Sequence, residues 1–261
     1  MSDNGRLEGK IAVVTGSTSG IGRGIALEFA REGARVMVSG RNSDRGAGVI
    51  EEIVATGVPR EHLAYHRADL TDESHCRALI AATVEAFGAL DVLVNNAGDF
   101  TRGNIHNTTV ELWDYHMALN LRAPFLLAQA AVPHLRARSG SIINIGSVNA
   151  YVGGRNLLSY AVSKGGLMTF TKNLAASLCR EHIRVNQLNV GWTLTEGEDR
   201  VQRAEQGRDD WLEQAEARRP SGRLLLPRDI ALAALYFASD DSALVTGSVL
   251  DVDQVPVGMR G

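Results

Sequence analysis

Three reactive side chains fall within the stretch "NIGSVNAYVGGRNLLSYAVSKGG", Asn144 to Gly166: the hydroxyl of Ser147, the phenol of Tyr160 and the ammonium of Lys164. Tyr160 and Lys164 are four residues apart, so on a helix they share a face. Ser147 closes a run that reads as a strand, which places it at the carboxyl end of a sheet, where open α/β folds form their ligand crevice. A free tyrosine has a pKa of about 10 and is a poor base at neutral pH, but a nearby ammonium favours the phenolate. The trio therefore suits proton exchange with an oxygen that Ser147 holds by hydrogen bond. Hydrolysis by Ser147 is disfavoured, because no GxSxG elbow surrounds it and no His/Asp pair is evident. YxxxK alone would read as an ordinary amphipathic helix. Its meaning depends on what lies upstream.

Short β-rich runs alternate with helical ones along all 261 residues. Strands are expected in "KIAVVTG", "ARVMVSG", "HLAYHRADL", "LDVLVNNAG", "GSIINIGS", "IRVNQLNVG" and "GSVLDVD". Helices fall between them, including a long helical zone over Thr109–Arg138 with a break at Pro124, and another over Ser159–Glu181. Strands apolar throughout are buried on both faces, the mark of a parallel sheet covered by helices. The expectation is one α/β domain over 1–261, a Rossmann-like doubly wound sheet of seven mainly parallel strands with helices on both faces. The irregular part is a charged insertion at about 192–219. It reads either as a solvated amphipathic helix or as a lid, with Trp192 turned inward.

"VTGSTSGIG" joins the first strand to the first helix. Its residues Gly16, Ser17, Thr18, Ser19, Gly20, Ile21 and Gly22 carry a GxxxGxG spacing. Glycines there let the backbone bend and let a pyrophosphate approach the helix N-terminus, where free N–H groups favour anions. A plain tight turn is the alternative, but strand before and helix after give the context of a nucleotide site. No Gly-Lys-Ser/Thr follows, so a dinucleotide fits better than a nucleoside triphosphate. The second strand ends in Gly40 and Arg41, where an acidic residue would bond the adenosine ribose. A guanidinium suits a 2′-phosphate, so NADP(H) is the preferred cofactor, with NAD(H) the alternative should Arg41 be a solvated surface residue. Asp69 and Leu70, ending the third strand, are placed at the adenine edge, or Asp69 caps its loop. Asn96, Ala97 and Gly98 leave room for the ribose.

Taken together, "TGSTSGIG", "NNAG" and "YAVSK", in that order over nearly the whole chain, resemble the short-chain dehydrogenase/reductase family. The resemblance implies hydride transfer between a secondary alcohol or ketone and a nicotinamide, with Tyr160 as general acid/base. It adds Asn120 to the Ser147–Tyr160–Lys164 trio. It gives Asn120 a place where its helix is interrupted and a water linking Lys164 to solvent, and gives Lys164 the nicotinamide ribose hydroxyls. Gly191, Thr193 and Thr195 are expected at the nicotinamide amide. Two departures stand out: Val190 where the family usually has proline, and Gln254 and Val255 where it usually has glycines. A homo-oligomer, dimer or tetramer, is implied as well.

Composition narrows the classes. A net charge of −3 argues against non-specific nucleic-acid binding. No apolar run approaches the roughly 18 residues of a bilayer span, and "MSDNGRLEGK" has no signal core, so no membrane role and a cytoplasmic setting are expected. Cys76 and Cys179 are far apart, and no His/Cys spacing suggests a metal. Substrate contacts are expected from Ser147, Tyr160, Asn149 and Trp192. Tyr151, Arg155, Asp99, Thr101 and Arg102 are further candidates for specificity. Their polarity points to a small sugar, polyol or sugar acid. A 3-oxoacyl thioester is the runner-up, and a non-catalytic nucleotide-binding scaffold is the reading from another class.

Overall fold

The computed structural model describes residues 5–257; the first four residues, part of the stretch read as lacking a signal, lie outside it. Seven strands form one sheet: β1 (Ile11–Val14), β2 (Arg35–Gly40), β3 (Leu63–Arg67), β4 (Val92–Asn95), β5 (Ser141–Ser147), β6 (Arg184–Val190) and β7 (Val249–Val252). Their order is β3-β2-β1-β4-β5-β6-β7, and every pairing is parallel. The chain runs outward from β1 to β3 and then crosses back to β4, so the order reverses between β1 and β4. A crevice opens there at the carboxyl ends of the strands.

Helices cover both faces because parallel strands need crossovers. On one side, α1 (Gly20–Arg31), α2 (Ser43–Val54) and α9 (Pro227–Ala238) bury Ile25, Phe29, Ile53, Ile230 and Phe237. On the other, α3 (Glu73–Phe87), α5 (Ala123–Arg136) and α6 (Leu158–Leu178) bury Leu79, Leu127, Leu135 and Leu178.

Three expectations are corrected. The sheet is not apolar throughout: Asn144 on β5 and Asn186, Gln187 and Asn189 on β6 are buried. They stay there because each is bonded: a chain runs from Asn95 to Asn144 (2.8 Å), Asn144 to Thr171 (2.8 Å), Thr171 to Gln187 (2.8 Å) and Gln187 to Asn189 (2.7 Å), while Asn186 donates to Val245 O (2.8 Å) and accepts from Ser248 N (3.0 Å). The break in the long helical zone falls not at Pro124 but at a π-helical turn, Ala118–Arg122, between α4 (Val110–Met117) and α5. Pro124 instead sits in the first turn of α5, directly after the π turn. Finally, 192–219 is not irregular. It carries α7 (Glu196–Gln206) and α8 (Trp211–Glu216), folded around a small cluster of Trp211, Ala215 and Leu224 with Trp192 against it.

Among the described residues no helix is long and apolar enough to cross a membrane.

Candidate active site

The carboxyl ends of β1, β4, β5 and β6 open into one cavity of about 1510 Å³. That exceeds the roughly 300–1,000 Å³ of a drug-sized site and leaves room for an extended dinucleotide beside a substrate.

At one end lies the glycine turn. Gly16 and Gly20 have φ of +63° and +54°, values that a side chain would strain. A Cβ on Gly22 would lie 2.5 Å from the Gly16 carbonyl, so this glycine closes the turn instead of facing the cavity. Ser17 also departs from expectation: its hydroxyl donates to Val14 O (2.7 Å) and accepts from Ser39 N (2.9 Å), tying β1 to β2 inside the core. Ser19, the residue preceding α1, makes no side-chain cap, and no acid stands in the first turn. The first N–H groups of α1 are therefore left for an anion from outside the helix. Thr18, Ser19, Gly20, Ile21 and Arg41 line the cavity as expected, and Arg45 joins them from α2. Arg41 reaches Tyr115 Oη (3.2 Å) and, among the described residues, pairs with no carboxylate. Asp69 lines the cavity with Leu70 but spends Oδ1 on Thr71 N and Oγ1, so it caps its own loop.

In the middle, Asn96, Ala97 and Gly98 follow β4. Asn96 donates to the Thr15 and Gly16 carbonyls (2.8 and 3.2 Å), holding the β1 and β4 ends together. A Cβ on Gly98 would come within 3.2 Å of Asn120 Oδ1 and 3.5 Å of Lys164 Nζ, so only glycine keeps that approach ordinary. Asn120 sits inside the π turn and is fully buried. Its Oδ1 accepts from Asp99 N (2.9 Å), and its Nδ2 donates to Asp99 O (2.9 Å) and Ser163 Oγ (3.0 Å). The side-chain amide is thus committed to tying the loop after β4 to α6. Any water such as the resemblance implies falls to other atoms.

Ser147 ends β5, while Tyr160 and Lys164 project from the start of α6 into the same cavity. Asn149, expected at the substrate, donates from both N and Nδ2 to Ser147 Oγ (3.2 Å each). With its lone pairs engaged, the Ser147 hydroxyl is left to donate. The Lys164 ammonium donates to Ile145 O (2.8 Å) and lies 5.8 Å from the Tyr160 ring centroid. Burial pushes the Lys164 pKa down to about 8. Burial also raises the Tyr160 pKa, and the charge of Glu198 adds to it, while the hydrogen bond with Ser147 and the charge of Arg102 work against it. The sequence led us to expect a phenol made acidic by the lysine. In the chain alone the phenol stays protonated, because Lys164 is itself desolvated and turned toward a carbonyl.

Behind Tyr160 stands a group that sequence reasoning missed. His116, buried on α4, bonds Ser159 Oγ (2.7 Å) and Asp99 Oδ1 (3.0 Å), and meets the Tyr160 ring edge-on at 6.4 Å. Partial burial works to raise the Asp99 pKa, but the His116 and Thr101 hydrogen bonds outweigh it and hold it at about 2. Asp99 is therefore a support of the site, not a specificity residue. Nothing in the spacing of residues 99, 116 and 159 signalled this contact.

The far end is built by the excursion between β6 and α9. Gly191, Thr193 and Thr195 line the cavity, and Thr195 Oγ1 caps α7 by accepting from Glu198 N (3.1 Å). Trp192 lines it too, with Nε1 on Glu198 (2.8 Å), and Trp211 Nε1 bonds Asp199 (3.0 Å). Both indoles thus bind carboxylates of α7, and Glu198 is buried, so the charges of this segment do not all face outward. Arg102 pairs with Glu198 (3.5 Å) and Glu205 (3.1 Å). Tyr151 and Arg155 do not line the cavity; both are exposed. Gln254, a departure from the family pattern, accepts from Ser221 N (3.1 Å) and Oγ, and donates to Arg223 O (2.7 Å). It clamps the loop before α9.

A family model described as enoyl-(acyl carrier protein) reductase matches residues 16–254. The chain is 36% identical, over 95% of its length and 93% of the relative, to trans-4-hydroxycyclohexanecarboxylate dehydrogenase of Sinomonas cyclohexanicum. It is 34% identical, over 95% and 96%, to the NADP-dependent (R)-specific alcohol dehydrogenase of Lentilactobacillus kefiri. A crystal structure from Caenorhabditis elegans, described as a short-chain dehydrogenase/reductase of unknown function with cofactor, superposes with a TM-score of 0.86. It shares 30% identity, covering 94% of this chain and 95% of that one.

Proposed function

The chain belongs to the short-chain dehydrogenase/reductase family and is an NAD(P)-dependent oxidoreductase of alcohols and ketones; within that class we propose that Tyr160 exchanges the proton and that the substrate is a small polar hydroxy compound, a sugar, polyol or sugar acid. The observation that carries this reading is the meeting of Ser147, Tyr160 and Lys164 in one cavity whose other end is an uncapped helix N-terminus.

The residues fit a dinucleotide. The α1 N-terminus and the turn at Gly16 and Gly20 suit a pyrophosphate, and Asn96 to Gly98 line the passage to the centre. We read NADP(H) as preferred, since Arg41 and Arg45 flank the end of β2 and both face the cavity. The L. kefiri relative is named for that cofactor. When bound, the nicotinamide supplies the hydride donor or acceptor, and its positive charge in the oxidised form adds to the field at Tyr160.

The chain's own groups then divide the work. Ser147, oriented by Asn149, donates to the substrate oxygen and fixes it beside Tyr160. In reduction the Tyr160 hydroxyl gives its proton to that oxygen as hydride arrives at the carbon; in oxidation the phenolate takes it. Lys164 holds positive charge under the phenol. Asn120 keeps the loop of Asp99 against α6, and His116 buttresses the ring. The segment 192–219 acts as a lid over the substrate end, and its polar lining favours small hydroxylated compounds over sterols or long acyl chains.

Replacing Tyr160 with Phe tests this. Cofactor affinity, read by fluorescence titration, should stay within about threefold, while kcat for secondary alcohols falls about 10²–10⁴-fold. Retained turnover would remove Tyr160 from the chemistry. Turnover confined to acetoacetyl thioesters in a panel with polyols and aldonates would replace the proposed substrate.

A further inference from the structure

We propose that Arg219 anchors a carboxylate of the substrate, so that the compound interconverted is a hydroxy acid and its oxo acid. This rests on the reading of Tyr160 given above. It also narrows the substrate from polar compounds in general to anions.

Arg219 lines the cavity, and its guanidinium lies 5.1 Å from the centre of the Trp192 ring. Trp192 in turn stacks on Trp211, ring centres 6.1 Å apart. The cation thus rests against an indole that is itself packed on a second one. Its Nε is buried and has no hydrogen-bond partner, and no carboxylate pairs with it among the described residues. A guanidinium at a cavity wall with no acid beside it leaves its terminal N–H groups for an anion from outside the chain.

The neighbouring cation shows the contrast. Arg102 reaches the same cavity but is neutralised by Glu198 and Glu205. Glu198 is further engaged by Trp192 Nε1 and by Gln202 Nε2 (2.7 Å), so it cannot turn to serve Arg219 without breaking both. Chain placement supports a built site. Trp192 and Leu194 pair with Leu225 (3.1 and 2.8 Å), which brings the end of β6 beside the segment following Arg219. Gln254 clamps residues 221–223, and Arg223 is held by Asp229 (2.6 and 3.0 Å). The guanidinium therefore stands on a tied segment, not on a free loop.

Position favours the substrate: the indole beneath Arg219 belongs to Trp192, which follows β6, the strand next to Ser147 on β5. A carboxylate can take two parallel N–H···O bonds from the two terminal nitrogens, a match that a neutral hydroxyl cannot give. In the oxidative direction the carbinol carbon gives its hydride to the oxidised nicotinamide and its O–H proton to Tyr160. The carboxylate is left unchanged on Arg219.

The test compares acids with their own amides: 3-hydroxybutanoate against 3-hydroxybutanamide, and gluconate against gluconamide, with saturating NADP+. Each acid should exceed its amide in kcat/KM. Arg219→Gln should cut the acid-to-amide ratio about 10- to 100-fold through KM, and Arg219→Lys should restore part of it. NADPH affinity, unchanged in both variants, certifies the fold. Acids that never outrun their amides in the wild type overturn the anchor whatever the variants do, and equal losses for acid and amide in Arg219→Gln overturn it as well. Neutral secondary alcohols separate the two readings. If they turn over while acids gain nothing, the anchor fails and the Tyr160 chemistry stands; if nothing in the panel turns over, both fail.

Discussion

The two ends of the cavity are made of different materials. The cofactor end is main chain: a turn of glycines, the free N–H groups of α1, and strand ends joined by Asn96. It rests directly on the two cores of the sheet. The substrate end is side chains on an excursion, with two indoles tied to carboxylates of α7, an Arg–Glu network and a three-residue hydrophobic cluster of its own. They touch where Gly20 approaches Thr195. The first end can serve any dinucleotide-binding sheet. The second can change its chemistry by one side chain without disturbing the first. Recognition of the shared ligand is built into the backbone, and recognition of the private one is laid over it.

The sharpest way to break that division is to remove Trp211, which is 1% exposed and the largest member of the small cluster. Trp211→Ala leaves a cavity, a loss of about 3–5 kcal/mol in the local stability of α7 and α8. Limited proteolysis should then cut within 196–216 well before the rest of the chain. Substrate KM should rise at least tenfold with NADPH affinity nearly unchanged. An equal fall in cofactor affinity would mean that the two ends are one cooperative unit.

The same division governs what could be read from the sequence. Backbone sites announce themselves: GxxxGxG after an apolar strand, NNAG after another and YxxxK on a helix each carry local spacing, and the structure brings them together in one crevice. Ser17 and Gly22 were assigned to the ligand because such a motif says that a turn is tight, not which members face inward. The side-chain site gave no such spacing. Arg219 lies 27 residues beyond Trp192 in a run of mixed charge, and only the short pairing of Trp192 and Leu194 with Leu225 makes them neighbours. His116, Ser159 and Asp99 meet through three separate elements. β6 was legible as a strand, but the burial of its amides was not, because hydropathy marks Asn and Gln as exposed, whereas here each finds a partner inside.

Between the two ends, Lys164 carries a cost of its own. Burial holds its pKa at about 8, against about 10.4 in an unfolded chain. Below pH 8 both states carry the ammonium, and the native chain bears the full penalty of burying it. From pH 8 to about 10.4 the unfolded chain binds more protons, so this contribution to stability improves as pH rises. Lys164→Met should therefore be more stable than the wild type at pH 7, by on the order of 2 kcal/mol, with a difference that narrows through pH 8–10 in denaturant titrations. A gap independent of pH would show that the centre is not strained by this charge, and would leave the substrate end as the region where stability is given up for function.

The smallest effect belongs to the edge of the cofactor end, where the backbone rule gives way to side chains. Arg41 is exposed, and its guanidinium bonds Tyr115, with Arg45 close by on the next helix. An exposed guanidinium is screened by solvent, so Arg41→Ala should raise the KM for NADPH only about tenfold, and less at high salt, while the KM for NADH stays within about twofold. Equal changes for the two cofactors would mean that the 2′-position is not read here. A selective loss would extend the division of labour to a finer scale. The glycine turn takes the pyrophosphate common to both dinucleotides, and a single side chain at the end of β2 chooses between them. That choice would be made by the same device that Arg219 uses at the other end: a cation with no carboxylate in ion-pair contact among the described residues.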